Sequence, residues 1–133
     1  MLRPGLVAAV LIASVMLGAG LALAGQKPAS GQYSGTAQQR GTGSRRQSVD
    51  RDYRVRMRFS SSGSTVTYPS LVCGGVLRPV GFSGGRRVYR EAITYRHCDS
   101  GRTWKVLVSS SRRVQATSTR GGADDSVSAV LTR

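Results

Sequence analysis

Every second residue from Tyr53 to Phe59 is apolar, and every residue between them is arginine: Tyr53, Arg54, Val55, Arg56, Met57, Arg58, Phe59. A period of two places the four apolar side chains on one face of a β-strand and the three guanidinium groups on the other. A helix would scatter the same residues around its circumference and leave no apolar stripe. The run therefore demands a sheet with one face on a core and one in water.

The rest of the chain repeats that demand. Period-two alternation recurs over residues 65–68, 87–95, 103–109, 113–118 and 127–131, and residues 71–78 are apolar on both faces; clusters of Gly and Ser at 60–64, 81–85, 99–101 and 120–125 punctuate them. Pro69 interrupts the ladder, and Gly74 with Gly75 marks a bulge or a close backbone approach. Tyr33 is expected on a short first strand. Residues 38–48 contain no apolar side chain and are expected to form a mobile loop. About eight short strands at spacings near ten residues predict an all-β fold, a single small antiparallel β-barrel or sandwich. In a barrel the last strand would cover the first and remove both edges.

Cys73 and Cys98 are the only cysteines, 25 positions apart. Paired cysteines in an exported domain read as a disulfide. Closing a loop of that length stabilises a fold by roughly 3–4 kcal/mol in the chain-entropy model. The pair is expected to pin the base of the hairpin that joins their two strands.

Export is read from the first residues. Arg3 precedes an uncharged run from Leu6 to Leu23, which ends Ala22, Leu23, Ala24. This is the three-part pattern of a signal peptide. The expected organisation is a signal peptide over residues 1–24, a polar segment and mobile loop over 25–48 and a β-domain over 49–133. Periplasmic or secreted localisation follows, with cleavage after Ala24. A retained inner-membrane anchor at residues 6–23 is the alternative, because 18 apolar residues can also span a bilayer.

Lys and Arg number 20 against six Asp and Glu, a formal net charge of +14. Such a field attracts polyanions. Arg54, Arg56 and Arg58, about 7 Å apart along one strand face, with Arg45 and Arg46 nearby, are the candidate anion-binding residues. A solvated strand face is the simpler reading of the same row. Nucleic acid is not an expected partner, since no recognisable nucleic-acid motif is present.

Catalytic patterns fail on context. Gly81, Phe82, Ser83, Gly84 and Gly85 match Gly-x-Ser-x-Gly, but a strand follows where a nucleophile elbow needs a helix. His97, Cys98 and Asp99 fall short of a zinc ligand set once Cys98 is bridged. No metal, cofactor or catalytic residue is expected. Glu91 is the acid of interest. It alternates with Tyr89, Ile93 and Tyr95, all expected inward, so it is a candidate buried carboxylate that needs a partner. An arginine in a bidentate pair would serve. An outward Glu beside surface tyrosines and a ligand contact in a barrel mouth are the other readings.

Three segments carry a resemblance: Tyr68-Pro-Ser-Leu-Val-Cys-Gly-Gly-Val-Leu77, then Tyr89-Arg-Glu-Ala-Ile-Thr94, then Cys98 with Gly101. Over residues 53–131 the chain resembles a small exported bacterial β-domain. That domain occurs in stand-alone secreted proteins and at the extracytoplasmic ends of some bacterial serine/threonine kinases. The resemblance implies a β-fold and carries no activity across. The chain departs from it at residues 113–118, where similar domains show an aromatic pair. Together these features predict an exported non-enzymatic binding module of the bacterial envelope that binds or inhibits a protein partner, presenting loops at 38–48 and 81–87. The alternative is an arginine-driven binder of anionic polysaccharide or lipid head groups.

Overall fold

The computed structural model describes residues 26–42, 50–96, 98, 101–119 and 124–133. The proposed signal peptide, Arg45, Arg46, His97 and Asp99 lie outside them.

The fold is a closed eight-stranded antiparallel barrel. Its strands are β1 (Gly31–Thr42), β2 (Arg51–Phe59), β3 (Ser64–Tyr68), β4 (Cys73–Ser83), β5 (Arg86–Tyr95), β6 (Thr103–Ser110), β7 (Arg113–Thr119) and β8 (Asp124–Thr132). Each pairs with the next, and β8 pairs with β1 from Ser34 opposite Thr132 to Thr42 opposite Asp124. Closure leaves no sheet edge along the body of the barrel, which decides between barrel and sandwich.

Two expectations change. Residues 38–42 are not loop: β1 runs twelve residues, through Thr42. Its inward positions are Tyr33, Gly35, Ala37 and Gln39, so the alternation carries one large apolar side chain and is invisible as a pattern. Hydrogen-bonded neighbours on both sides hold this strand instead. Residues 81–83 are not turn either. They continue β4, and the chain reverses at Gly84 and Gly85 alone. Both glycines have positive φ, 57° and 76°, the backbone that a two-residue hairpin with native twist requires.

The interior is filled unequally. Tyr33, Tyr53, Phe59, Tyr68, Tyr89 and Trp104 project from β1 to β6, against Val114, Ala116, Val127, Ala129 and Leu131 from β7 and β8. Large side chains from one wall meet small ones from the other, and the lumen of a narrow barrel is thereby filled. Tyr33, Phe59 and Tyr89 form one aromatic group, with ring centroids 5.6 Å apart at each step. Tyr53 and Tyr68 form a second, at 5.8 Å. Buried Pro28 and the Ala29 carbonyl, which accepts a 3.0 Å hydrogen bond from the Tyr33 hydroxyl, bring the N-terminal segment to the mouth beside the first group.

The register shifts between Gly74 and Gly75, opposite Tyr95 and Ile93. This is the bulge expected of the glycine pair, and the ladder there skips Thr94. It also turns Tyr95 outward, 47% exposed, with its ring over Gly74. Tyr95 therefore does not share the inward face with Glu91. A Cβ on Gly75 would lie 2.0 Å from the Ala92 carbonyl oxygen across the pair. Gly75→Ala is expected to force β4 and β5 apart, at a cost of about 1–3 kcal/mol or more, measurable as a lower urea midpoint.

Cys73 and Cys98 form a disulfide with Cα atoms 6.0 Å apart. It joins the start of β4 to the residues after β5 and so pins the base of that hairpin, as expected.

Candidate functional site

The barrel has two chemically different ends. Strand order places the β2–β3, β4–β5 and β6–β7 turns at one end, with the N-terminal segment; this is the hairpin end. The β1–β2, β3–β4, β5–β6 and β7–β8 connections lie at the other. The chain has six acids. Asp50 and Asp52 flank the start of β2, and Asp124 and Asp125 open β8, all at the far end. Glu91 is inside the barrel. Among the described residues the hairpin end has no acidic side chain. It carries Lys27, Arg78, Arg86, Arg87, Arg112 and Arg113. The far end mixes its acids with Arg40, Arg51 and Arg96, so the hairpin end is the one whose unopposed cations attract an approaching anion. This arrangement was not legible in sequence, because it appears only once strand direction is known.

The β4–β5 hairpin projects from that end. β3 begins opposite Leu77, so residues 78–83 of β4 run beyond it with β5 as their partner. All six are exposed. A second register shift, between Pro79 and Gly81, sets Val80 apart from the ladder. Val80 and Phe82 are 56% and 60% exposed. The Arg87 guanidinium lies 4.8 Å from the centre of the Phe82 ring, a cation–π contact that holds both side chains in place. Ser83 sits opposite Arg86 on this hairpin, and a strand follows it. The Gly-x-Ser-x-Gly match is thus the end of β4 and a tight turn.

At the hairpin's root lies a cleft of about 520 Å³. Its floor includes Phe59, Leu77 and Tyr89, and its rim includes Lys27, Arg78, Arg87 and the serines of the β2–β3 turn. Burial raises the Tyr89 phenol above its ordinary pKa, while the Arg87 charge beside it pulls the other way.

The arginine row stands where the sequence puts it. Arg54, Arg56 and Arg58 are exposed on the outer face of β2. Their cross-strand neighbours are Thr36, Ser34 and Gln32 on β1, and Thr67 and Thr65 opposite Arg56 and Arg58 on β3. All are uncharged, and one contact is a long hydrogen bond from Arg54 to the Thr36 hydroxyl at 3.4 Å. By contrast, Arg40 and Asp52 form an ion pair at 2.9 Å toward the far end.

Glu91 is buried, 2% exposed, and faces the barrel interior. A bidentate arginine pair does not hold it. Its Oε2 accepts hydrogen bonds from the Tyr68 hydroxyl and from the Trp104 indole Nε1, the latter at 2.9 Å, and its Oε1 has no hydrogen-bond partner. The cation inside is Arg102, also buried, which donates to Ser118 Oγ at 3.0 Å and acts on Glu91 through space. The reason is geometric. Trp104 on β6, the strand paired with β5, and Tyr68 on β3, beyond β4, reach Glu91 along the inner wall of the barrel, and two good donors satisfy one oxygen. Alternation exposes the burial of Glu91 but not donors from other strands.

Burial raises the Glu91 carboxyl above the usual carboxylate range, and the two donors and Arg102 only partly offset it. Burial, then the Glu91 charge, likewise raises the Tyr68 phenol. The sign follows from linkage: the folded chain holds the Glu91 proton at a pH where the unfolded chain has lost it. The group's stabilisation is full below the unfolded value and is lost as pH rises through the folded one. Glu91→Gln keeps an acceptor for Tyr68 and Trp104 and carries no charge. Its melting temperature relative to wild type is therefore expected to rise from pH 4.5 to pH 7.5. A constant difference across that range would contradict the burial of an ionisable group here.

Comparison with protein-family models, curated proteins and solved structures finds no match to this chain.

Proposed function

We propose that this chain is an exported, non-enzymatic binding module that docks the hairpin end of its barrel onto an acidic protein surface, in the manner of an inhibitor or immunity protein. One observation carries this reading: Val80 and Phe82 stand exposed on a projecting hairpin, framed by arginine, at an end without acidic side chains among the described residues. Aromatic and arginine side chains are the usual anchors of protein interfaces, and a ring of charge around them steers the encounter. The rigid closed barrel supports the hairpin, so little conformational freedom is lost on binding.

The test is a double substitution, Val80→Ser with Phe82→Ser. Both positions are more than half exposed, so stability is expected to change by about 0.5 kcal/mol or less. A partner protein recovered with the wild-type chain from the envelope at high salt should be lost with the variant. Undiminished recovery would refute the reading.

A second reading rests on the Arg54, Arg56 and Arg58 row, whose uncharged neighbours leave three guanidinium groups to serve an anionic polysaccharide or lipid surface. Binding of that kind weakens steeply with salt. Replacing all three with Ser should flatten the salt dependence of retention on an immobilised polyanion.

A further inference from the structure

The cleft at the root of the β4–β5 hairpin has the makings of a small-molecule site; it shares Arg78 and Arg87 with the hairpin end and is distinct from the arginine row of β2. Its volume, about 520 Å³, lies within the range of roughly 300–1,000 Å³ typical of ligand pockets. Its floor is apolar: Phe59 and Tyr89, with rings 5.6 Å apart, and Leu77, all side chains of the core. Its rim is polar and cationic, and none of the side chains lining it is acidic.

Arg87 gives the cleft its polarity. Its guanidinium lies over the Phe82 ring, and its charge acts on the Tyr89 phenol below. Arg87 Nε is buried and has no hydrogen-bond partner. A buried donor left unpaired costs about 1–3 kcal/mol, and native proteins seldom keep one without a use. Across the cleft, the β2–β3 turn presents hydroxyls. Ser60 Oγ and Ser62 Oγ are 2.7 Å apart, and the Ser62 amide donates to Ser60 Oγ at 3.1 Å. Ser61 and Ser62 are exposed. A cation, the serine hydroxyls of a turn and an apolar floor favour a ligand that has both an acidic head and a greasy body.

We propose that this cleft binds an amphipathic anion, a single carboxylate or phosphate head on an apolar chain or ring, with the head on Arg87 and the serine turn and the body on Phe59, Leu77 and Tyr89. A free amphiphile and a membrane lipid share this chemistry.

The test is calorimetric titration of the exported chain with decyl phosphate below its micelle concentration, beside inorganic phosphate, with sedimentation on phosphatidylglycerol vesicles as a second arm. One decyl phosphate per chain is expected, with inorganic phosphate at least tenfold weaker. Arg87→Gln should weaken decyl phosphate at least tenfold, and Arg78→Gln, at an exposed rim position, about threefold. Both variants are checked for unchanged melting. Vesicle association that decyl phosphate displaces and Arg87→Gln abolishes would identify a membrane lipid as the source. Binding of decyl phosphate without such association would identify a free amphiphile. No saturable binding in either arm, equal affinity for inorganic phosphate, or unchanged binding in Arg87→Gln would overturn the proposal.

Discussion

Trp104→Ala is expected to leave the chain without a stable barrel. The indole is fully buried and fills the lumen beside the small side chains of β7 and β8, with Ser118 its partner on β7. Removing a buried Trp or Phe side chain costs about 3–5 kcal/mol, depending on how far the site collapses. A small domain has about 5–15 kcal/mol in total. A narrow closed barrel collapses poorly, because its diameter is fixed by strand number and register. The same substitution removes one of the two donors on Glu91 Oε2 and leaves the buried carboxylate on Tyr68 alone. Trp104→Phe separates these effects: it restores most of the volume and not the N–H. Urea unfolding should therefore order the three chains wild type, Phe, Ala, with the Ala variant unfolded or nearly so in water. An Ala variant within about 1 kcal/mol of wild type would show that Trp104 is not central to the packing.

Loss of the disulfide is expected to have an effect of similar size. Cys73 and Cys98 enclose 25 positions, and releasing that loop in the unfolded chain costs the fold roughly 3–4 kcal/mol. For a domain of about 100 residues each kcal/mol moves the melting temperature by about 4–8 °C. The double Ala variant, or the reduced wild type, should melt well over ~10 °C lower. The bridge lies at the end opposite the projecting hairpin. Its loss should therefore raise amide exchange first near the base of β4 and the end of β5, before the hairpin tip. A shift of only ~2 °C would mean that the unfolded chain is already constrained there.

Much of this architecture was legible in the sequence for one reason. Strands β2, β5, β6, β7 and β8 each have one wet face and one dry face, so period two writes itself into their residues. β1 does not, because Gly35, Ala37 and Gln39 occupy its inward positions and closure supplies its partners. The end of β4 was hidden by Gly81, which reads as a turn residue but lies in a strand; Gly84 and Gly85 make the turn. Within the candidate sites, the outward row Arg54, Arg56 and Arg58 and the inward Glu91 follow from alternation alone. The contacts of Tyr68, Trp104 and Arg102 around Glu91 do not, since they depend on strand order and register along the barrel wall. The cleft under Arg87 gathers β2, the β2–β3 turn, β4 and β5, and no single segment signals it. The separation of charge between the two ends is of the same kind: it follows from strand direction, which only the closed topology fixes.

The most direct test of the proposed docking end is position-specific photocrosslinking in the envelope, with the reactive residue placed at Phe82 on the hairpin or at Arg56 on the outer face of β2. The expected result is one discrete protein adduct from position 82, formed in similar yield at about 50 mM and 500 mM salt, a range over which polyanion binding falls by orders of magnitude. Adducts from position 56 alone, to acidic polymer and only at low salt, would contradict docking through the hairpin and place the function on the arginine row.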